Sequence, residues 1–181
     1  MFDRLTTVHF WFILCLQKRN YMPLYQGQSY RIGDVSIGAP NVEQILYTAQ
    51  ASDVAAEVAY WLGYAPDRND VYYFTIYQQA TPVGQILLHD INEETGEGLV
   101  GYHLFESKWR GQGIGSAALR LLQRYVVDKT NLTQLTIITG RDNVASQAVA
   151  TKCGFQLAGG AWEDPENLVV FIWAVSRDSF F

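Results

Sequence analysis

"RGQGIGSAAL", residues 110–119, puts three glycines into five positions and then turns into good helix sequence. Each glycine in a helix interior costs about 1 kcal/mol relative to alanine. That cost is smallest at the mouth of a helix, and these glycines sit at such a mouth. The first-turn amide N–H groups of a helix have no partner inside it, and the macrodipole adds partial positive charge there. Glycine has no Cβ, so a ligand can approach the backbone closely. A strand, a glycine turn and a helix start therefore make a candidate anion site. Arg110 and Ser116 add donors at its edge.

The flanking segments set the context. Upstream, VYYFTIYQ (71–78), VGQILLHDI (83–91) and GLVGYHLFE (98–106) are strand-like and separated by the turns QATP and NEETGE, so they read as an antiparallel meander. An earlier strand covers residues 30–37, and helices are expected after Pro40 (PNVEQILYTAQ) and Ser52 (SDVAAEVAYWLG). The glycine turn opens a helix of about fifteen residues. In it Ile114, Ala118, Leu121, Leu122 and Tyr125 share one face, and Arg120, Gln123 and Arg124 another. LTQLTIITG (132–140) is a strand and DNVASQAVATKCG a helix closed by Gly154. VVFIWAVS (169–176) is the last strand, preceded by a short one at FQLAG. The expected class is α+β: a twisted, mixed, mostly antiparallel sheet of about six or seven strands with about four helices on its faces.

The chain has 181 residues, one domain's worth at roughly 150 residues per domain. Residues 1–25 read as an apolar N-terminal extension and 26–181 as a single domain. Within the extension, VHFWFILCL (8–16) is shorter than the roughly 20 residues of a membrane span, and no A-x-A cleavage site follows it. Cys15 and Cys153 stand alone, without C-x-x-C spacing, which argues against a zinc site and fits a reducing cytosol. The net charge of -5, with no basic stripe, argues against nucleic acid as a partner. The expectation is a cytoplasmic, metal-free protein, monomeric or homodimeric, that binds neither membrane nor nucleic acid.

Two familiar phosphate loops fit the glycine turn poorly. A Walker A loop needs a lysine after its last glycine, and none is present. A dinucleotide fold needs a third glycine where Ser116 stands, and its turn follows a parallel βαβ start rather than a meander.

A second motif lies about thirty residues on: RDNVASQAVATKCGF, 141–155. With it the sequence resembles the GNAT family of acetyl-CoA-dependent N-acetyltransferases. Their signature Q/R-x-x-G-x-G/A is met by Arg110, Gly113 and Gly115. Their later helix, N-x-x-[AS]-x-x-x-Y-x-K-x-G-F, is met by Asn143, Ser146, Lys152, Gly154 and Phe155. GEGLVGYHLFESKWRGQG further resembles the subgroup that acetylates ribosomal-protein N-termini, and the likeness extends over residues 70–176.

The resemblance implies a GNAT fold with a splayed strand pair and acetyl-CoA as co-substrate. It implies a pyrophosphate held by the backbone of Gly111, Gln112, Gly113, Ile114, Gly115 and Ser116, with Arg110 beside it. It places the pantetheine arm on the amide of Leu104 or Phe105, and on Asn143 and Ser146. The acceptor is a primary amine, of a protein or peptide N-terminus or of a small molecule. The family's usual acid, a tyrosine, is replaced here by Ala150, and Ser146 one turn earlier is the substitute candidate. His103, Glu106, His89 and Glu97 are candidates for the base: His103 is on the strand beside the implied thioester, His89 is on the neighbouring strand, and Glu97 and Glu106 are strand-end charges of the type the family uses as bases. Ala150 keeps a second reading open, an acyl-CoA-binding module with little or no catalysis. A nucleotide-binding or structural domain is a third.

Overall fold

The computed structural model describes residues 27–40 and 70–177. The apolar run at 8–16, the helices expected over 41–63 and residues 178–181 lie outside the described residues.

One sheet of eight strands organises the chain, in the order β1-β2-β3-β4-β5-β6-β8-β7. The single strand expected at 30–37 is instead a hairpin, β1 (Tyr30–Ile32) and β2 (Val35–Gly38). Gly33, at φ +56°, makes the reversal, and this hairpin raises the strand count above six or seven. The meander is β3 (Tyr72–Gln78), β4 (Thr81–Asn92) and β5 (Glu97–Leu104), all antiparallel. Its second turn is built by Asn92, whose Oδ1 accepts the N–H groups of Glu94 and Thr95. Then come α1 (Ile114–Lys129), β6 (Gln134–Gly140), α2 (Val144–Lys152), β7 (Gln156–Gly160) and β8 (Leu168–Ala174).

Strand β3 reads as a continuous apolar and aromatic run because both its faces are buried. Phe74 and Ile76 meet the α1 side, and Tyr73 and Thr75 are buried on the opposite face. Helix α1 presents Ile114, Ala118, Leu119, Leu122 and Val126 to the core. Tyr125 sits edge-on to Tyr30, Tyr72 and Phe74, with ring centroids 5.9, 5.8 and 4.9 Å away, and so ties the first hairpin to the meander.

Gln123 departs from the expected polar face: it is buried. Its Nε2 donates to the Cys153 carbonyl at 2.9 Å, and Arg120 Nη2 donates to the Lys152 carbonyl at 3.0 Å. The last carbonyls of a helix lack internal partners. These two side chains supply them for α2 and lock it against α1.

Strand β5 is held on one side along its whole length and on the other along only part of it. It pairs with β4 from Leu104 to Glu97, but with β6 only at Glu97–Gln134, Gly98–Leu135 and Leu99–Thr136. Beyond that rung the two parallel strands diverge, which is the splayed pair that the family resemblance implied. At Gly84 the β4–β5 contact is too close for any side chain: a Cβ there would collide with the His103 carbonyl oxygen and with Leu104 Cδ2.

Gly84→Ala is therefore expected to destabilise the domain by about 1–3 kcal/mol through overpacking. A thermal melt checks this: the Tm should fall by roughly 2–8 °C. An unchanged Tm would show that β4 and β5 are not in close contact there.

Candidate active site

The chain leaves β5 through a single 3-10 turn, Ser107–Trp109, and reaches the glycines. Gly111 and Gly113 both adopt left-handed backbone, φ +75° and +81°. A Cβ at either would meet nothing within 4 Å. The glycines are thus required by backbone conformation, and the space above them is open. Gly113 caps α1 without any side-chain hydrogen bond, and no acidic residue lies in the first turn. The positive end of a sixteen-residue helix is left uncompensated at that opening.

The opening continues as a cleft of about 670 Å³ between β5, β6 and α2. Amide direction along β5 follows from one bond: the Phe105 N–H donates to the Val83 carbonyl at 2.9 Å. Amides alternate sides along a strand, so those of Gly101 and His103 also face β4. Those of Tyr102 and Leu104 point the other way, into the gap where β6 has diverged. The two candidates for the pantetheine amide thus separate. Leu104 faces the cleft, whereas Phe105 is fully buried with its N–H already used.

Opposite β5, Asn143 caps α2 by accepting the Ser146 N–H on Oδ1 at 3.1 Å. The cap uses the side-chain oxygen and not the amide nitrogen. The Tyr102 hydroxyl crosses from β5 to this helix: it donates to the Ser146 carbonyl at 3.1 Å and lies 3.0 Å from Ser146 Oγ. Burial pushes the Tyr102 phenol above its ordinary pKa, so it stays protonated. Ala150 is fully buried in the core, beneath this wall.

Of the residues singled out in the sequence, His103, Leu104, Arg110, Gly111 and Gly113 line the cleft. So do Ile114, Gly115, Ser116, Asn143 and Ser146. Three do not. Phe105 is packed away as described. The Gln112 side chain turns back to donate to the Lys108 carbonyl. Glu106 does not reach the cleft either, because its carboxylate pairs with Lys108 Nζ at 2.9 Å beyond the strand end. Glu97, weighed as a base, accepts hydrogen bonds from Thr95 and Gln134 at the start of β5. Tyr102, Trp109 and the β6 wall of Ile137, Ile138 and Thr139 were not foreseen. The aromatic residue following Gly101 was the available signal for Tyr102, but the face it occupies depends on register.

Strand β5 has two different sides at the cleft. Tyr102 projects towards α2. His103 lies opposite Gln85 on the other face, and a Cβ on Gly101 would stand 3.6 Å from His89 Nε2 on that same face. Among the described residues no group of three or more metal-binding side chains occurs.

Comparison with known proteins agrees with this geometry. No curated protein sequence matches the chain. A family model described as an acetyltransferase (GNAT) domain matches residues 33–156. Among solved structures, the acetyl transferase from Salmonella typhimurium that modifies the N-terminal serine of ribosomal protein L7/L12 superposes with a TM-score of 0.70 at 18% identity, covering 82% of this chain and 100% of that one. RimL, a ribosomal L7/L12 α-N-protein acetyltransferase in complex with coenzyme A, gives 0.67 at 17% identity over 83% of this chain and 100% of that one. The microcin C7 self-immunity acetyltransferase MccE, in complex with acetyl-CoA and AMP, gives 0.65 at 16% identity over 80% and 94%. With the family model covering more than half of its length and the cleft built as the family requires, the chain belongs to the GNAT acetyltransferases, α+β enzymes that use acetyl-CoA to acylate an amine.

Proposed function

We propose that this chain acetylates the α-amine at the N-terminus of a protein or peptide, by direct attack on acetyl-CoA within a ternary complex. The observation that carries the reading is the cleft itself. It joins unpaired strand amides at Tyr102 and Leu104 to an open, uncapped helix N-terminus at 113–116. A diphosphate fits the helix end, and an extended amide-bearing arm fits the strand edge. The arm then ends near Leu99–Gly101, where β5 and β6 come together.

The reaction needs a neutral amine, a stabilised oxyanion and protonation of the departing sulfur. An α-amine titrates near pH ~7.7–8.0 and a lysine near ~10.4, so at neutral pH far more of the α-amine is ready to attack. This favours an N-terminus over a lysine side chain. The resemblance of residues 96–113 to the subgroup that acetylates ribosomal-protein N-termini supports the same acceptor.

For the sulfur, Ser146 is the donor and Tyr102 its support. The single Tyr102 proton serves either the Ser146 carbonyl or Ser146 Oγ; when it swings from the carbonyl to Oγ, the serine proton is free to turn into the cleft. The raised Tyr102 pKa keeps that arrangement intact to alkaline pH. Ser146 and Tyr102 thus stand in for the tyrosine absent at position 150. His103, on the opposite face of β5, belongs to the acceptor side.

Two measurements follow. The full chain is incubated with acetyl-CoA and a panel of N-terminal peptides, polyamines, aminoglycosides and amino acids, and thiol release is recorded. Turnover confined to peptides is expected. Turnover only on small amines would move the acceptor class, and coenzyme A binding without turnover would leave the chain a binding module. Gly113→Trp should weaken coenzyme A binding by at least about 100-fold, or about 2.7 kcal/mol. Binding unaffected by that change would remove the glycine turn from the site.

Ser146→Ala keeps the backbone N–H that Asn143 caps, so α2 should persist. It is expected to lower kcat by about 10²-fold or more, with KM for acetyl-CoA within about threefold, as loss of a general acid does. Tyr102→Phe should give a smaller loss in kcat. A serine variant with full kcat would exclude this route for the proton.

A further inference from the structure

We infer that His89, held by Asp90, is the base that takes the proton from the attacking amine. The inference rests on the acetyl-transfer reading above and names a group that the family motifs do not.

The placement begins with the sheet. His89 is the last residue of β4 in regular register with β5, opposite Leu99. Leu99 is also the last residue of β5 paired to β6, through Thr136. His89 therefore stands at the apex of the splay, where the acyl end of an extended arm arrives. Its neighbour across the sheet is Gly101, whose missing side chain leaves room for the imidazole: a Cβ there would come within 3.6 Å of His89 Nε2. His89 lines the cleft and is nearly buried, at 14% side-chain exposure.

The backbone beside it is distorted. The β4–β5 register shifts between His89 and Asn92, and within that irregularity Asp90 adopts φ +48°. Left-handed backbone costs an L-residue roughly 1–2 kcal/mol, and bulges that re-aim a side chain gather beside active sites. Here the distortion has a visible product. Asp90 Oδ2 lies 2.7 Å from Nδ1 of His89, the residue immediately before it in the chain. In regular strand geometry consecutive side chains point to opposite faces. The bulge brings the two together.

The consequence is chemical. A carboxylate accepts only, so the proton of the neutral imidazole resides on Nδ1 and Nε2 carries the lone pair. Nε2 is the ring atom nearest Gly101, 3.6 Å from where a Cβ would stand, and the residue lines the cleft. As the amine nitrogen attacks, its lone pair forms the C–N bond to the thioester carbon, and the nitrogen sheds one proton to His89 Nε2. The C–S bond then breaks with its electron pair on sulfur, which takes a proton from Ser146 on the other side of β5. His89 returns its proton to water, Ser146 recovers one from water, and both residues end as they began. Asp90 is a positioning residue: it fixes the tautomer and stabilises the imidazolium.

The test uses the full chain and the best acceptor from the panel. His89→Ala and His89→Gln should lower kcat by about 10²–10⁴-fold, the range of a lost general base. KM for acetyl-CoA and coenzyme A affinity should stay within about threefold, which a collapsed cleft would not allow. Added imidazole should restore part of the activity of His89→Ala and none of that of Ser146→Ala. Asp90→Asn should cost about 10-fold in kcat by the same logic of lost orientation. A His89→Ala kcat within about threefold of wild type overturns the inference while leaving acetyl transfer intact. So does a loss that tracks coenzyme A affinity and resists imidazole. A wild-type chain that binds acetyl-CoA and turns over no amine overturns both.

Discussion

The site depends on a ladder that stops early. Strands β5 and β6 share three rungs, at Glu97–Leu99 with Gln134–Thr136, and then part. Unpaired strand amides are costly when buried, so a sheet normally completes its ladder or covers the edge. Here β5 is anchored on its other side by β4, and β6 by β8 along Gln134–Gly140. Each strand is thus rigid while the gap between them stays open. On the proposed reading, an extended ligand with its own amides takes the place of the absent strand pairing and supplies partners to the polar backbone atoms at Tyr102 and Leu104.

Both ends of the gap are set by the same parting. At the wide end, β5 runs through one 3-10 turn into Gly111 and Gly113, and the uncapped start of α1 faces the opening. At the narrow end, the last paired rung brings Leu99 next to His89 and Asp90. The glycine turn follows the C-terminal end of β5 after one 3-10 turn, and the bulge in β4 lies beside the N-terminal half of β5, where Leu99 pairs with His89. In the proposed mechanism, Tyr102 and Ser146 on one face of β5 and His89 on the other give the acid and base separate approaches to the same carbon.

Much of this was legible in the chain, for identifiable reasons. The meander, the glycine turn and the apolar face of α1 each have a local signature in the sequence, whereas the capping role of Asn143 emerges only from the structure. What was not legible depends on register. Leu104 and Phe105 are equivalent in sequence, and only the Phe105–Val83 bond separates them. Glu106 looks like a strand-end base until Lys108 is seen to hold it. Gln123 looks like a surface residue, but α2 ends against it. The Tyr102–Ser146 contact joins residues 44 apart, and no spacing rule reaches that far. The pairing of His89 with its own neighbour Asp90 reverses the usual alternation of a strand.

Amide hydrogen exchange with and without coenzyme A tests the central claim most directly. The account predicts that ligand slows exchange at Tyr102 and Leu104 and across residues 114–116, while Phe105, already bonded to Val83, is slow in both states. Equal exchange at Tyr102 and Leu104 with and without bound ligand would contradict it, because the open strand edge would then not be where coenzyme A lies.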